Sequence, residues 1–135
     1  LKQDQDRNAK LLLSSLIERS SNDINLYEKV IDMCIEHEQL PFALDLLKKL
    51  IKQFPSNIDL IFQAGQVCEK TGDLEGALKY FKAADLHDAY SIEAKLKIAR
   101  IMIGQNKVIQ ADSYINQVLK KDPKNEDALS LRRLF

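Results

Sequence analysis

Apolar residues recur along this chain at helical spacing, and one small residue returns in register with them. The stretches PFALDLLKKL, EGALKYFKAA and IQADSYINQV each carry an alanine at a fixed place, and Ala43, Ala77 and Ala111 follow one another at intervals of 34 residues. Other columns obey the same step. Leu47, Phe81 and Ile115 are large and apolar, Leu50, Ala84 and Val118 are apolar, and Cys34, Cys68 and Met102 share a column, as do Val30, Ala64 and Ile98. A fixed period of this length is the signature of a repeat architecture. In the middle period Ile61, Ala64, Gly65, Val67 and Cys68 are spaced as one face of a helix running from about residue 57 to residue 70. Thr71-Gly72-Asp73 predicts a turn, because Gly and Asp tolerate the backbone angles a turn requires. Leu74, Ala77, Leu78, Phe81 and Ala84 form the stripe of a second helix ending near His87.

The period divides the chain into units 24–57, 58–91 and 92–125. Start signals agree: Asn22/Asp23, Ser56/Asn57 and Ser91 are good N-caps for the first helices, and Pro41 suits the first turn of a helix. One step back from Ala43 lies Ala9, followed by Leu12, Leu13 and Leu16, so 6–20 reads as the second helix of a preceding unit and 1–23 as that helix plus its turn. Residues 126–135 read as the start of a further first helix. Both ends fall inside units, the expectation for a piece of a longer array. A lone helix pair cannot bury both faces, so the units must stack into one continuous domain. The alanine column would sit where the two helices of a unit approach each other.

These columns resemble the tetratricopeptide repeat. The middle unit fits the family pattern best, with Gly65, Ala77, Phe81 and Ala84 matching and Ile61 as the first bulky residue. The first unit offers Tyr27, Ala43, Leu47 and Pro55, and the third Ala111, Ile115 and Pro123, with Lys95 where a bulky apolar residue is expected. The resemblance spans about residues 6–135. It implies an all-α fold, a right-handed superhelical α-solenoid of antiparallel helix pairs, whose concave face is lined mainly by first helices and docks a peptide or partner domain.

Carried over to this sequence, the concave face would hold Glu28 and Asp32 from the first unit, Phe62, Gln63 and Gln66 from the second, and Leu96, Lys97 and Arg100 from the third. Phe62 and Leu96 lie off the main core stripe of their helices. Each is either an exposed anchor for a partner or a contact with the next unit. Glu28, Asp32 and Glu36 make one end acidic, and Lys97 and Arg100 make the other basic. That asymmetry would orient a partner of opposite polarity, or it is the ordinary solvated face of a helix. The resemblance also argues against one ligand. Family members that grip a chaperone's C-terminal carboxylate use basic and Asn positions where this chain has Glu28, Asp32, Gln63, Glu93 and Lys97, and two acids would repel that carboxylate.

Composition changes this picture little. Twenty basic residues balance twenty acidic ones, so there is no global pull toward nucleic acid. The Lys-rich ends of second helices (Lys48, Lys49 and Lys52; Lys120, Lys121 and Lys124) are explained by the negative pole of the helix dipole. No run is long enough to insert in a membrane. His37 and His87 have no ligand-spaced neighbours, so no metal is expected, and no phosphate loop or nucleophile–base pattern appears. Cys34 and Cys68 lie on apolar faces and read as small core hydrophobes. No catalytic residue and no cofactor is expected.

The expected function is a protein-interaction scaffold whose partner is a protein or peptide, rather than an enzyme. The alternative is a structural or self-associating segment of a larger protein, such as a regulatory arm of an enzyme or signalling protein. Incomplete terminal units, which expose apolar faces, motivate that alternative. Two thiols and no visible targeting segment point to a reducing cytoplasm.

Overall fold

The structure is a computed structural model. It describes residues 23–135 and, ahead of them, the exposed helical positions Arg7, Leu11, Ser15 and Arg19; the rest of the helix expected over 6–20 lies outside the described residues. The described chain is helical throughout: α1 (Ile24–Glu36), α2 (Leu40–Gln53), α3 (Ile58–Thr71), α4 (Leu74–Asp85), α5 (Ser91–Gly104), α6 (Val108–Lys121) and α7 (Glu126–Arg132). Each helix packs on its neighbours in the chain, and α5 also reaches α7. This is the contact pattern of a solenoid, in which a unit touches only the next one.

The alanine column closes the pairs: Ala43, Ala77 and Ala111 have no exposed surface, nor do Leu47, Phe81 and Ile115 one turn later. Gly65 serves the same close approach from the facing helix. A Cβ there would lie 2.7 Å from the Phe81 ring. Helix α3 is buried on two sides. Leu60, Ala64 and Val67 join the core around α1 and α2, while Phe62 and Cys68 join the core that continues through α4–α7.

One turn geometry repeats at the 34-residue step. One residue just past each of these first helices, the first or second after its end, adopts positive φ: Glu38 at 59°, Gly72 at 86° and Asn106 at 60°. The following amide reaches back to the last turn, Gln39 to Cys34 at 2.7 Å, Asp73 to Cys68 at 3.0 Å and Lys107 to Met102 at 2.8 Å. These are Schellman-type caps, which satisfy carbonyls that a helix end would otherwise leave open. The cysteine column therefore ends each first helix as well as filling the core.

Helix starts follow the period with one exception. Asp23, Asn57 and Asn125 accept the amides of Leu26, Leu60 and Ala128 at 3.2, 3.4 and 2.9 Å. Ser91, expected to cap α5, lies inside it, and Tyr90 takes the cap position without a side-chain bond. Ser91 instead donates to Asp85 at 3.0 Å. Lys95 completes this node: it is buried, ion-paired with Asp85, and donates to Ser91 at 2.9 Å. The lysine thus occupies an inward position of the first helix, where Tyr27 is buried in the first unit, and buries its charge by pairing it.

Candidate functional site

The first helices α1, α3 and α5 are tied to one another across one face. Gln63 on α3 donates to Asp32 on α1 at 3.4 Å, and Lys97 on α5 pairs with Glu69 on α3 at 3.2 Å. The Tyr90 hydroxyl, at the start of α5, donates to Asp59 on α3. That bond, burial and the nearby acids Asp59 and Glu93 push the Tyr90 phenol up to about 12. Its ring stacks on Phe62 at a centroid distance of 4.8 Å, and Phe62 meets Phe81 at 5.4 Å.

Two adjoining hollows open on this face and share Gln66 and Lys97. The larger, about 270 Å³, has Phe62 and Leu96 on its floor, with Glu93, Arg100 and Asp127 around it. The smaller, about 250 Å³, lies between α1 and α3 and is lined by Asp32, Gln63 and Glu69 among others. Asp32, Phe62, Gln63, Gln66, Leu96, Lys97 and Arg100 are thus gathered along one face. Glu28, on α1, lines neither hollow.

Of the two readings open for Phe62 and Leu96, the structure favours the packing contact, since they are 7% and 9% exposed. An interior helix of a stack has a neighbour on each side, so a residue off the single apolar stripe still meets a second helix, as Phe62 meets Tyr90 at the start of α5. They form the floor of a hollow rather than projections from it. Asp127 was absent from the expected set although it lines the larger hollow. The period itself would have found it, because Asp59, Glu93 and Asp127 fall in one column, each in the first turn of a first helix.

Other openings lie elsewhere. A trough of about 690 Å³ follows the loops before α3 and α5, between Phe54, Pro55 and Tyr90, and an open depression of about 400 Å³ lies on α6. Among the described residues no group of three or more His, Cys, Asp or Glu is placed to hold a metal ion. Cys34 and Cys68 are buried, and burial, then Asp73, pushes the Cys68 thiol up. Among the described residues no helix is long and apolar enough to cross a membrane.

Stacked helix pairs with one turn geometry and a face built from successive first helices define a helical-repeat protein. Residues 70–134 match the family model of the tetratricopeptide repeat, and the described helices before them continue the same helix-pair fold, which supports assignment to that family. No curated protein sequence matches it. Among solved structures, a tetratricopeptide repeat protein from Parabacteroides merdae superposes with a TM-score of 0.79 at 15% identity, over 92% of this chain and 50% of that one. MamA superposes with a TM-score of 0.74 at 18% identity, over 87% of this chain and 69% of that one. YrrB, a repeat protein with an unusual peptide-binding site, gives 0.70 at 21% identity, over 94% and 66%. The chain therefore spans half the length of the first of these proteins and about two thirds of the other two.

Proposed function

We propose that this array docks an extended segment of a partner protein on the face of its first helices. The supporting observation is the pair of adjoining hollows, which share Gln66 and Lys97 and are also lined by Asp32, Phe62, Gln63, Leu96 and Arg100 of the expected groove residues, though not by Glu28 or Glu36. An apolar floor with polar residues around it is the usual anatomy of a peptide-binding surface. The likeness to YrrB, whose description includes a peptide-binding site, agrees with this reading. Gln66→Trp should fill the shared wall of both hollows. Partner capture by this variant should fall while its helicity and melting stay unchanged, and Ser113→Trp on α6 should capture normally. If Gln66→Trp captures as well as the parent, the docking face lies elsewhere.

A second reading is self-association. Val108 and Ile109 at the start of α6 are 40% and 87% exposed, side by side in the chain. Light scattering over a concentration series separates the two readings, since a strict monomer leaves only the docking face.

A further inference from the structure

The trough beside Tyr90 exists because one junction breaks the period. Helix α4 ends at Asp85, two residues before the column in which α2 and α6 end, at Gln53 and Lys121. Asp85 accepts from Ser91 and Lys95 of α5, which ties the end of α4 to the start of the next helix. The residues left over form a turn, in which the Tyr90 amide donates to the His87 carbonyl at 3.1 Å, and that turn brings Tyr90 to Asp59. Tyr90 shares its column with Ser56 and Lys124, and Phe54 with Asp88 and Asp122, so stacking the units does not require this pair of rings. The walls are anchored from both sides. Phe54 packs on the core around α1 and α2, while Ile58 and Tyr90 pack on the core that continues through α4–α7. The opening, about 690 Å³, exceeds the two hollows of the first-helix face together. Phe54, Pro55, Ile58 and Tyr90 give it apolar surface, and Asp59 is the one charged group among the described residues that line it. Asp59 is exposed, accepts from the Tyr90 hydroxyl and forms no ion pair among the described residues. Glu93, which also raises the Tyr90 phenol, adds to the negative field, and Lys52 on the last turn of α2 does not line the trough.

We propose that this trough is a second docking site, which takes an arginine-bearing extended segment of a partner protein. A guanidinium suits it on two counts: its plane lies flat on an aromatic ring, and its fork of N–H groups matches a carboxylate. The Tyr90 hydroxyl occupies Oδ1 of Asp59 and leaves the other oxygen for the incoming cation. Residues two positions either side of the arginine project to the same side of an extended chain, so apolar ones there cover Phe54, Pro55 and Ile58. An acidic segment or a nucleic-acid strand would set its charge against Asp59, with no cation among the described lining residues to receive it. The site is separate from the docking face proposed above. Phe62 lines the larger hollow and Tyr90 the trough, and their stacked rings stand between the two.

The test titrates isotope-labelled protein with capped pentapeptides that carry leucine at both ends, serine next to each leucine, and arginine, citrulline or glutamate at the centre. The design reads the same in either chain direction, so the outcome does not depend on polarity. Amide signals of Phe54, Asn57, Ala89 and Tyr90 should move with the arginine peptide. That peptide should bind about five- to tenfold more tightly than its neutral citrulline counterpart, and the glutamate peptide should bind least. Asp59→Asn keeps an oxygen for Tyr90 and removes the charge, so it should abolish the preference for arginine while circular dichroism stays unchanged. Gln66→Trp, which blocks the first-helix face, should leave the titration as it is. Equal binding of arginine and citrulline, or a preference that survives Asp59→Asn, overturns the proposal. Signals that move only around Gln66 and Lys97 overturn the trough as a site and leave the first-helix face standing, and no movement with any peptide overturns the trough as well.

Discussion

The positive-φ column offers a test in which packing plays no part. Gly72 has φ 86°, and a Cβ built there would meet nothing within 4 Å. Glu38 holds the equivalent place with φ 59°. A residue with a Cβ in the left-handed region is strained by about 1–2 kcal/mol, whereas glycine is not. Glycine in turn loses about 0.4–1 kcal/mol more chain entropy on folding. The difference gives Glu38→Gly a gain of about 0.5–1 kcal/mol and Gly72→Ala a loss of about the same size. Asn106→Gly should gain only a few tenths, since asparagine tolerates this region. Urea unfolding followed by far-UV circular dichroism reads these changes directly. With a slope of about 2 kcal/mol per molar, the midpoints should move by about 0.25–0.5 M, up for Glu38→Gly and down for Gly72→Ala. All three sites are exposed, so lost contacts cannot mask the effect. A Glu38→Gly midpoint at or below the parent's would refute the shared turn geometry as the source of the strain.

Three further outcomes follow from single contacts. Gly65→Ala should destabilise by about 1–2 kcal/mol, because overpacking against Phe81 at 2.7 Å outweighs the gain in helix propensity; Phe81→Leu in the same background should recover part of the loss, and a neutral Gly65→Ala would show that the ring has room to move. Asp85→Ala should cost about 2–3 kcal/mol by stranding the buried Lys95, whereas Lys95→Met should cost less than about 1; equal losses in thermal melts would mean that the ion pair is not what the site depends on. Tyr90 should be among the last phenols to ionise, near pH 12, and its raised value means that its contribution is complete below about pH 10 and lost as pH climbs toward 12. Ultraviolet titration of Tyr90→Phe should lack that late step, and retention of it would assign the step to another tyrosine.

The period carries most of the fold because it acts on every level at once. Ala43, Ala77 and Ala111 fix the helix contact within each unit, and Cys34, Cys68 and Met102 fix where each first helix turns back. The local exceptions were less legible. Ser91 has the chemistry of an N-cap, yet Lys95 four residues later needs an oxygen in the interior, and the buried charge takes the serine from the helix end. Sequence proximity to a helix start states what a hydroxyl is able to do, not which competing partner is nearer. Lys95 likewise appeared as a break in the apolar column, and only Asp85, ten residues earlier on another helix, explains why the break is tolerated.

The proposed docking face was legible as a set of positions but not as a shape. Helical periodicity sorts residues by angle around one axis, and Phe62 falls off the apolar stripe of α3 by that measure. A helix between two neighbours has two buried directions, and Phe62 fills the second, against Phe81 on α4 of its own unit and Tyr90 at the start of α5. The same geometry gathers residues of different helices around one hollow. Glu93 and Arg100 are separated along one helix, whereas Asp127 joins them only because a step of 34 residues brings successive first helices side by side. Exposure estimated for each helix alone therefore fails at the floor of the hollow, while charge compared down the columns succeeds at its rim. Residues that recognise a partner in such an array are better sought as columns of the repeat than as faces of a single helix.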